Sequence, residues 1–168
     1  NTIDGQSTEF TYGIWFNSNS ATTLANATVN GTTKITNVSD DGIRINDPSG
    51  SFKSGVPVTI DITGVAITSD VTNGIDIDIS DTGVAPDVDV SDSTIDQAGT
   101  GILINDFDNS NRQNVTVTNA EINGSSSAGI DIDSSTSAPN SADRIKVTDS
   151  TFTNNAGGIN VSEVQTAG

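Results

Sequence analysis

Two Asp-Ile-Asp triplets, Asp76-Ile77-Asp78 and Asp131-Ile132-Asp133, hold the side chains of this 168-residue chain best suited to chemistry. In an extended segment successive side chains point to opposite sides, so each triplet sends two carboxylates to one face and its isoleucine to the other. Asn46, Asp78, Asn105, Asp133 and Ser162 fall at equivalent places of successive segments, with Asp76 and Asp131 beside them. A hard cation such as calcium takes oxygen ligands of this kind, which makes Asp76, Asp78, Asp131 and Asp133 the candidate metal site and calcium the candidate cofactor. The Gly-Gly-x-Gly-x-Asp calcium nonapeptide is absent. Alternation of Asp with Asn already separates like charges, so a solvated face without cofactor is the favoured reading. The chain has neither His nor Cys, which removes thiolate and imidazole chemistry and excludes disulfides.

The elements that carry these residues repeat. A glycine followed by alternating apolar residues returns as Gly13-Ile14, Gly42-Ile43, Gly74-Ile75, Gly101-Ile102, Gly129-Ile130 and Gly158-Ile159, at intervals of 29, 32, 27, 28 and 29 residues. A near-constant period of this size marks one supersecondary unit stacked on copies of itself. Within each unit a second alternating run follows, as in Ile60-Asp61-Ile62, Val88-Asp89-Val90, Val115-Thr116-Val117 and Ile145-Lys146-Val147, and then a third apolar position at Ile67, Ile95, Ile122 or Phe152. Period-two alternation is the mark of a strand with one buried face, and the β-branched bias suits a pleated surface. The pattern predicts a single all-β domain over 1–168: a parallel solenoid of about six coils, 27–32 residues per coil. Ile43, Ile75, Ile102, Ile130 and Ile159 are expected to form one interior column. Strands about 4.8 Å apart make this a rod roughly 25–30 Å long.

The succession of a Gly-Ile-x-Ile strand, a loop and a Val-x-Val-x-Asn strand resembles the right-handed parallel β-helix of the pectin-lyase-like superfamily, from about Thr28 to Val164. The resemblance implies polar ladders at a corner, here Gly64, Asp92, Asn119 and Asp149. Asp40-Asp41-Gly42-Ile43-Arg44-Ile45-Asn46 is similar to the paired-aspartate strand of polygalacturonases, and Arg144-Ile145-Lys146 to their substrate-binding Arg-Ile-Lys. The family's Gly-His-Gly and Asn-Thr-Asp have no counterpart, and Arg144-Ile145-Lys146 falls in the second strand of its coil instead of the glycine-led one. Asp41 is therefore expected to be a turn residue, Lys146 an outward surface charge, and the chain to lack a catalytic set. The rival expectation is a carbohydrate-active lyase or hydrolase fragment with Asp76, Asp78, Asp131, Asp133 and Arg44 lining a groove, and polysaccharide as its partner.

Net charge is −16, from 22 acids against 6 bases, which repels nucleic acid and anionic membranes and excludes both as partners. No apolar segment is long enough to cross a bilayer or form a signal core, and the chain, which lacks Met altogether, is expected to be a processed or excised piece. A hydrated surface rich in Asp, Asn, Ser and Thr suits an extracellular or cell-surface protein. Asn-x-Ser/Thr triplets at Asn26, Asn30, Asn37, Asn114, Asn123 and Asn160 are candidate glycosylation sites, although this composition also generates such triplets by chance. The Thr63, Ser91, Thr118, Thr148 column has the hydroxyls that ice binding needs. Its neighbour Asp61, Asp89, Thr116, Lys146 is charged and irregular, so a supporting hydrogen-bond ladder is expected there.

Residues 1–27 depart from the repeat by clustering Phe10, Tyr12, Trp15 and Phe16, as a cap on the first coil or a subunit contact. At the other end the repeat continues to Val164 without an evident cap. The preferred expectation is a module of a surface filament, stalk or adhesin whose coils stack head to tail. The loops Asp47–Pro57, Ser80–Pro86, Asp106–Asn114 and Ser134–Asp143 are the expected binding surfaces.

Overall fold

The computed structural model describes residues 1–5, 10–17, 26–46, 59–68, 70–78, 87–105, 114–134 and 145–163. Of the four long loops, all but Asn114 and Ser134 lie outside the described residues, as does Arg144.

The described residues contain strands and no helix. The first coil runs β1 (Thr2–Asp4), β2 (Phe10–Asn17) and β3 (Ala27–Val29), and the second β4 (Thr33–Thr36), β5 (Val38–Asn46) and β6 (Thr59–Thr63). The third is β7 (Val65–Thr68), β8 (Asn73–Asp78) and β9 (Asp87–Ser91), and the fourth β10 (Thr94–Asp96), β11 (Thr100–Asn105) and β12 (Val115–Thr118). The fifth is β13 (Glu121–Asn123), β14 (Ala128–Ser134) and β15 (Ile145–Thr148), and the sixth has β16 (Thr151–Thr153) and β17 (Gly157–Glu163). Strands at equal places pair in parallel to give sheets of six, six and five strands, ordered β1-β4-β7-β10-β13-β16, β2-β5-β8-β11-β14-β17 and β3-β6-β9-β12-β15. The result is a β-solenoid of five three-strand coils and a two-strand sixth, slightly short of the six expected.

Register follows the apolar columns. Ile43, Ile75, Ile102, Ile130 and Ile159 lie side by side, as expected. All but Ile159 are fully buried, together with Ile45, Ile77 and Ile104 of the same sheet, Ile60, Ile62, Val88, Val115 and Val117 of another, and Ile35, Ile67 and Ile122 of the third. Each such side chain contributes about 1.5–3 kcal/mol of burial, and the stack needs few of them because its core is one narrow column. At the last coil nothing further covers the column among the described residues: Ile159 is 48% and Val161 67% exposed.

The repeating glycine has a packing cause. A Cβ on Gly74 would stand 2.4 Å from Ile95 Cγ2 and 2.5 Å from the Gly101 carbonyl oxygen, and one on Gly101 would meet the Gly129 oxygen at 2.4 Å and Ile122 Cγ2 at 2.5 Å. The glycine column therefore passes where the Gly-Ile sheet presses on the isoleucines of the β1–β16 sheet. The expected polar corner is confirmed in its backbone: Gly64, Asp92, Asn119 and Asp149 all have positive φ, from 50° to 69°. Asn and Asp tolerate this left-handed turn better than other non-glycine residues. A second corner of the same kind, at Asn37, Gln97, Gly124 and Asn154, was not foreseen.

Within the stretch 1–27, β1 pairs with β4 and β2 with β5, so these residues supply first rungs of two sheets. Ile14 and Phe16 pack against the core, whereas Phe10 and Trp15 are 52% and 53% exposed.

Candidate functional site

The glycine-led sheet carries two columns on its outer face. One reads Trp15, Arg44, Asp76, Leu103, Asp131, Asn160, and the other Asn17, Asn46, Asp78, Asn105, Asp133, Ser162. Asp76 and Asp78 in β8 are thus separated from Asp131 and Asp133 in β14 by the β11 residues Leu103 and Asn105. Two strand spacings amount to about 10 Å, so the four aspartates do not converge on one point. No group of three or more His, Cys, Asp or Glu suited to a metal ion occurs among the described residues.

Asp76 and Asp78 converge instead with Asp41, on Arg44. The guanidinium lies 3.1 Å from Asp41 Oδ2 and 3.3 Å from Asp76 Oδ2 through Nη1, and 3.3 Å from Asp78 Oδ2 through Nη2. Asn73 Nδ2 donates to Asp41 Oδ1 at 2.9 Å, and Asn46 Nδ2 to Asp78 Oδ2 at 3.3 Å. The Tyr12 ring stands 5.3 Å from Arg44 Cζ and its centroid 5.3 Å from that of Trp15. A forked, planar guanidinium is the side chain that can serve several carboxylates at once.

Asp41 corrects the sequence reading. It is not a turn residue but lies within β5, fully buried. The residue before the glycine is buried in successive coils, at Asp41, Asn73 and Thr100, and beside Asp41 the pairing of β2 with β5 is irregular, Phe10 facing Val38 but Tyr12 facing Asp41. Two residues of β5 there oppose one of β2, which re-aims the chain. The signal in the sequence was Asp41 preceding Gly42, with Asn73 at the same place before Gly74. Lys146 is exposed, as expected.

The electrostatics follow from burial. Desolvation pushes the Asp76 carboxyl up to about 7, the Asp41 charge adds to this, and Arg44 opposes it. Asp41 is raised by its own burial, with Asn73 and Arg44 pulling back and Asp40 pushing further. Burial works against the Arg44 charge too, but Asp76, Tyr12 and Asp41 more than offset it and hold its pKa above the usual value.

Elsewhere, asparagine amides serve the carboxylates. Cross-coil Nδ2 donors reach Oδ1 acceptors from Asn37 to Asp4 (2.8 Å), Asn114 to Asp87 (2.6 Å), Asn119 to Asp92 (2.6 Å), Asn123 to Asp96 (2.8 Å) and Asn160 to Asp131 (2.9 Å). Asn beside Asp in adjacent coils is therefore a hydrogen-bonded pair and not only a dilution of charge. Of the candidate glycosylation positions, Asn37, Asn114, Asn123 and Asn160 all use their amides this way. Asn26 accepts from the Thr59 N–H through Oδ1 at 3.0 Å, and Asn30 is exposed beside the Gly31 turn. The hydroxyl column is a ladder as well, with Thr63 to Ser91 at 3.0 Å and Thr118 to Thr148 at 3.2 Å.

Comparison with protein-family models, with curated proteins and with solved structures gives no match.

Proposed function

We propose that this chain is a structural module of an extracellular surface rod, a filament, stalk or adhesin, that extends by stacking coil upon coil. The observation that carries the reading is where apolar surface is left open. Among the described residues the exposed large hydrophobic side chains are Phe10, Trp15, Ile159 and Val161. All four lie in β2 or β17, the two outermost strands of one sheet. Phe10, Ile159 and Val161 pair with Val38, Ile130 and Ile132, which the inner rungs bury, so their exposure is axial, whereas Trp15 stands in the outward column of Arg44. Neither β2 nor β17 has a partner on its outer side among the described residues, and an open edge invites another strand. Contact of one end with the unlike other end does not close and builds a filament. The acidic, hydroxyl-rich sides support an exterior location, since they keep the rod hydrated and discourage lateral association. Membership of the pectin-lyase-like superfamily belongs to the same proposal, on the Gly-Ile-x-Ile strands and the left-handed Asn/Asp corner.

Sedimentation velocity of the chain over a wide concentration range tests the reading. Mass that grows with concentration without settling on a dimer supports it, whereas one monomeric species throughout contradicts it.

A second reading, a polysaccharide-binding or polysaccharide-cleaving face, is favoured by Tyr12 and Trp15 standing beside Arg44 and its carboxylates on an outward sheet. Aromatic rings next to hydrogen-bonding groups suit a sugar ring. Loss of glycan binding on replacing Trp15 or Asp78 would support this reading, and binding that is unchanged would count against it.

A further inference from the structure

The Arg44 cluster does something that axial stacking does not require. Three carboxylates share one guanidinium whose Nη1 serves both Asp41 and Asp76 and whose Nη2 serves Asp78. Asp76 is the worst placed of the three. It is 3% exposed, its Oδ2 depends on the shared Nη1, and its Oδ1 is sealed from solvent with no hydrogen-bond donor. An ionised oxygen in that position is strongly disfavoured, and a neutral carboxylic acid far less so.

We propose that Asp41, Arg44, Asp76 and Asp78 form a proton-binding site in which Asp76 is the carboxyl that takes up the proton, and that its release to solvent loosens the junction between β5 and β8. The step is a simple protonation: the Asp76 carboxylate plus one proton gives the neutral acid, and one negative charge beside Asp41 and Asp78 is removed. A hydrated metal ion is a poor occupant, because the guanidinium already stands among the carboxylates and Oδ1 is closed off. A proton needs no such access.

The groups that face Asp76 agree. From β5 come Asp40, Asp41 and Arg44, from β8 itself Asp78, and from β2 Tyr12, through its contact with Arg44. From β11 the residues in register are Leu103 and Asn105, neither of which titrates. Among the described residues the anionic neighbours of Asp76 outnumber the cationic one, and burial together with the Asp41 charge raises the Asp76 carboxyl to about 7.

Carboxyl carbon NMR of the full chain, titrated from about pH 4 to about pH 9, tests this directly, since a free aspartate titrates near 3.9. Asp76 is expected to titrate with a midpoint near about 7. Arg44 and Asp41 signals should move in the same step, and amide exchange in β5 and β8 should quicken above it. In Asp76→Asn that step should vanish while the exposed carboxylates titrate as before. An Asp76 midpoint in the ordinary carboxylate range overturns the proposal using the native chain alone. So does a neutral-pH step at Arg44 that survives in Asp76→Asn.

Discussion

Asn119 donates its Nδ2 to the Asp92 carboxylate at 2.6 Å, and both residues turn the same corner, one coil apart, with φ of 52° and 50°. Asp149 turns the next coil in the same way. One residue type thus meets two demands at once, a left-handed backbone and a neutral donor between acids. In a chain with 22 acids and 6 bases, the amides do much of the work that lysine and arginine do elsewhere.

Asn119→Asp should therefore keep the backbone turn and lose the donor, leaving Asp92, residue 119 and Asp149 as successive carboxylates. We expect a loss of about 1 kcal/mol, because the corner is exposed and water screens part of the repulsion. Denaturant unfolding at low and high salt checks the cause: the deficit should shrink as salt is added.

The glycine column gives a matched pair of substitutions. Gly101→Ala places a Cβ against the Gly129 carbonyl oxygen, which is backbone and cannot swing aside, and should cost about 3 kcal/mol. Gly158→Ala meets nothing within 4 Å and should change stability by less than about 0.5 kcal/mol. Equal effects in thermal unfolding would contradict the packing account of the repeat.

The coil architecture was legible in the sequence because a narrow solenoid core uses the same few columns in every turn. Gly74, Ile75 and Ile77 recur as Gly101, Ile102 and Ile104, and the left-handed corner could be read from Asp92 and Asn119. The second corner escaped because Asn37, Gln97, Gly124 and Asn154 share backbone geometry but no single residue type. Asp41 escaped for another reason. Its column continues as Asn73 and Thr100, polar residues that read as surface although all three are buried, and the convergence of Asp41 and Asp76 on Arg44 joins adjacent coils. The outward Asp and Asn columns were visible, but only the register separates Asp76 from Asp131 by Leu103.

Arg44→Lys tests whether the fork matters or only the charge. An ammonium is a point charge without the fork that meets Asp41 and Asp76 through Nη1 and Asp78 through Nη2, so we expect a loss of about 2 kcal/mol despite the conserved charge. Chemical denaturation at neutral pH provides the check, and stability equal to that of the native chain would mean that charge alone suffices.

The pH dependence has a defined sign. Asp76 titrates at about 7 in the folded chain, above the unfolded value near 3.9, so the folded state binds more protons between these limits. Its favourable contribution is complete below about pH 4 and is lost as the pH rises through about 7. The raised Asp41 acts in the same direction. The native melting temperature should fall from about pH 5 to about pH 8, and Asp76→Asn should flatten that slope.

Axial stacking is tested most directly by negative-stain electron microscopy of the native chain beside Val161→Glu, which puts a charge on the open face of the last coil without touching the inner rungs. The account predicts filaments many times longer than one unit of roughly 25–30 Å for the native chain, and dispersed short rods for the variant. Short rods alone from the native chain at high concentration, or equal filaments from both, would contradict it.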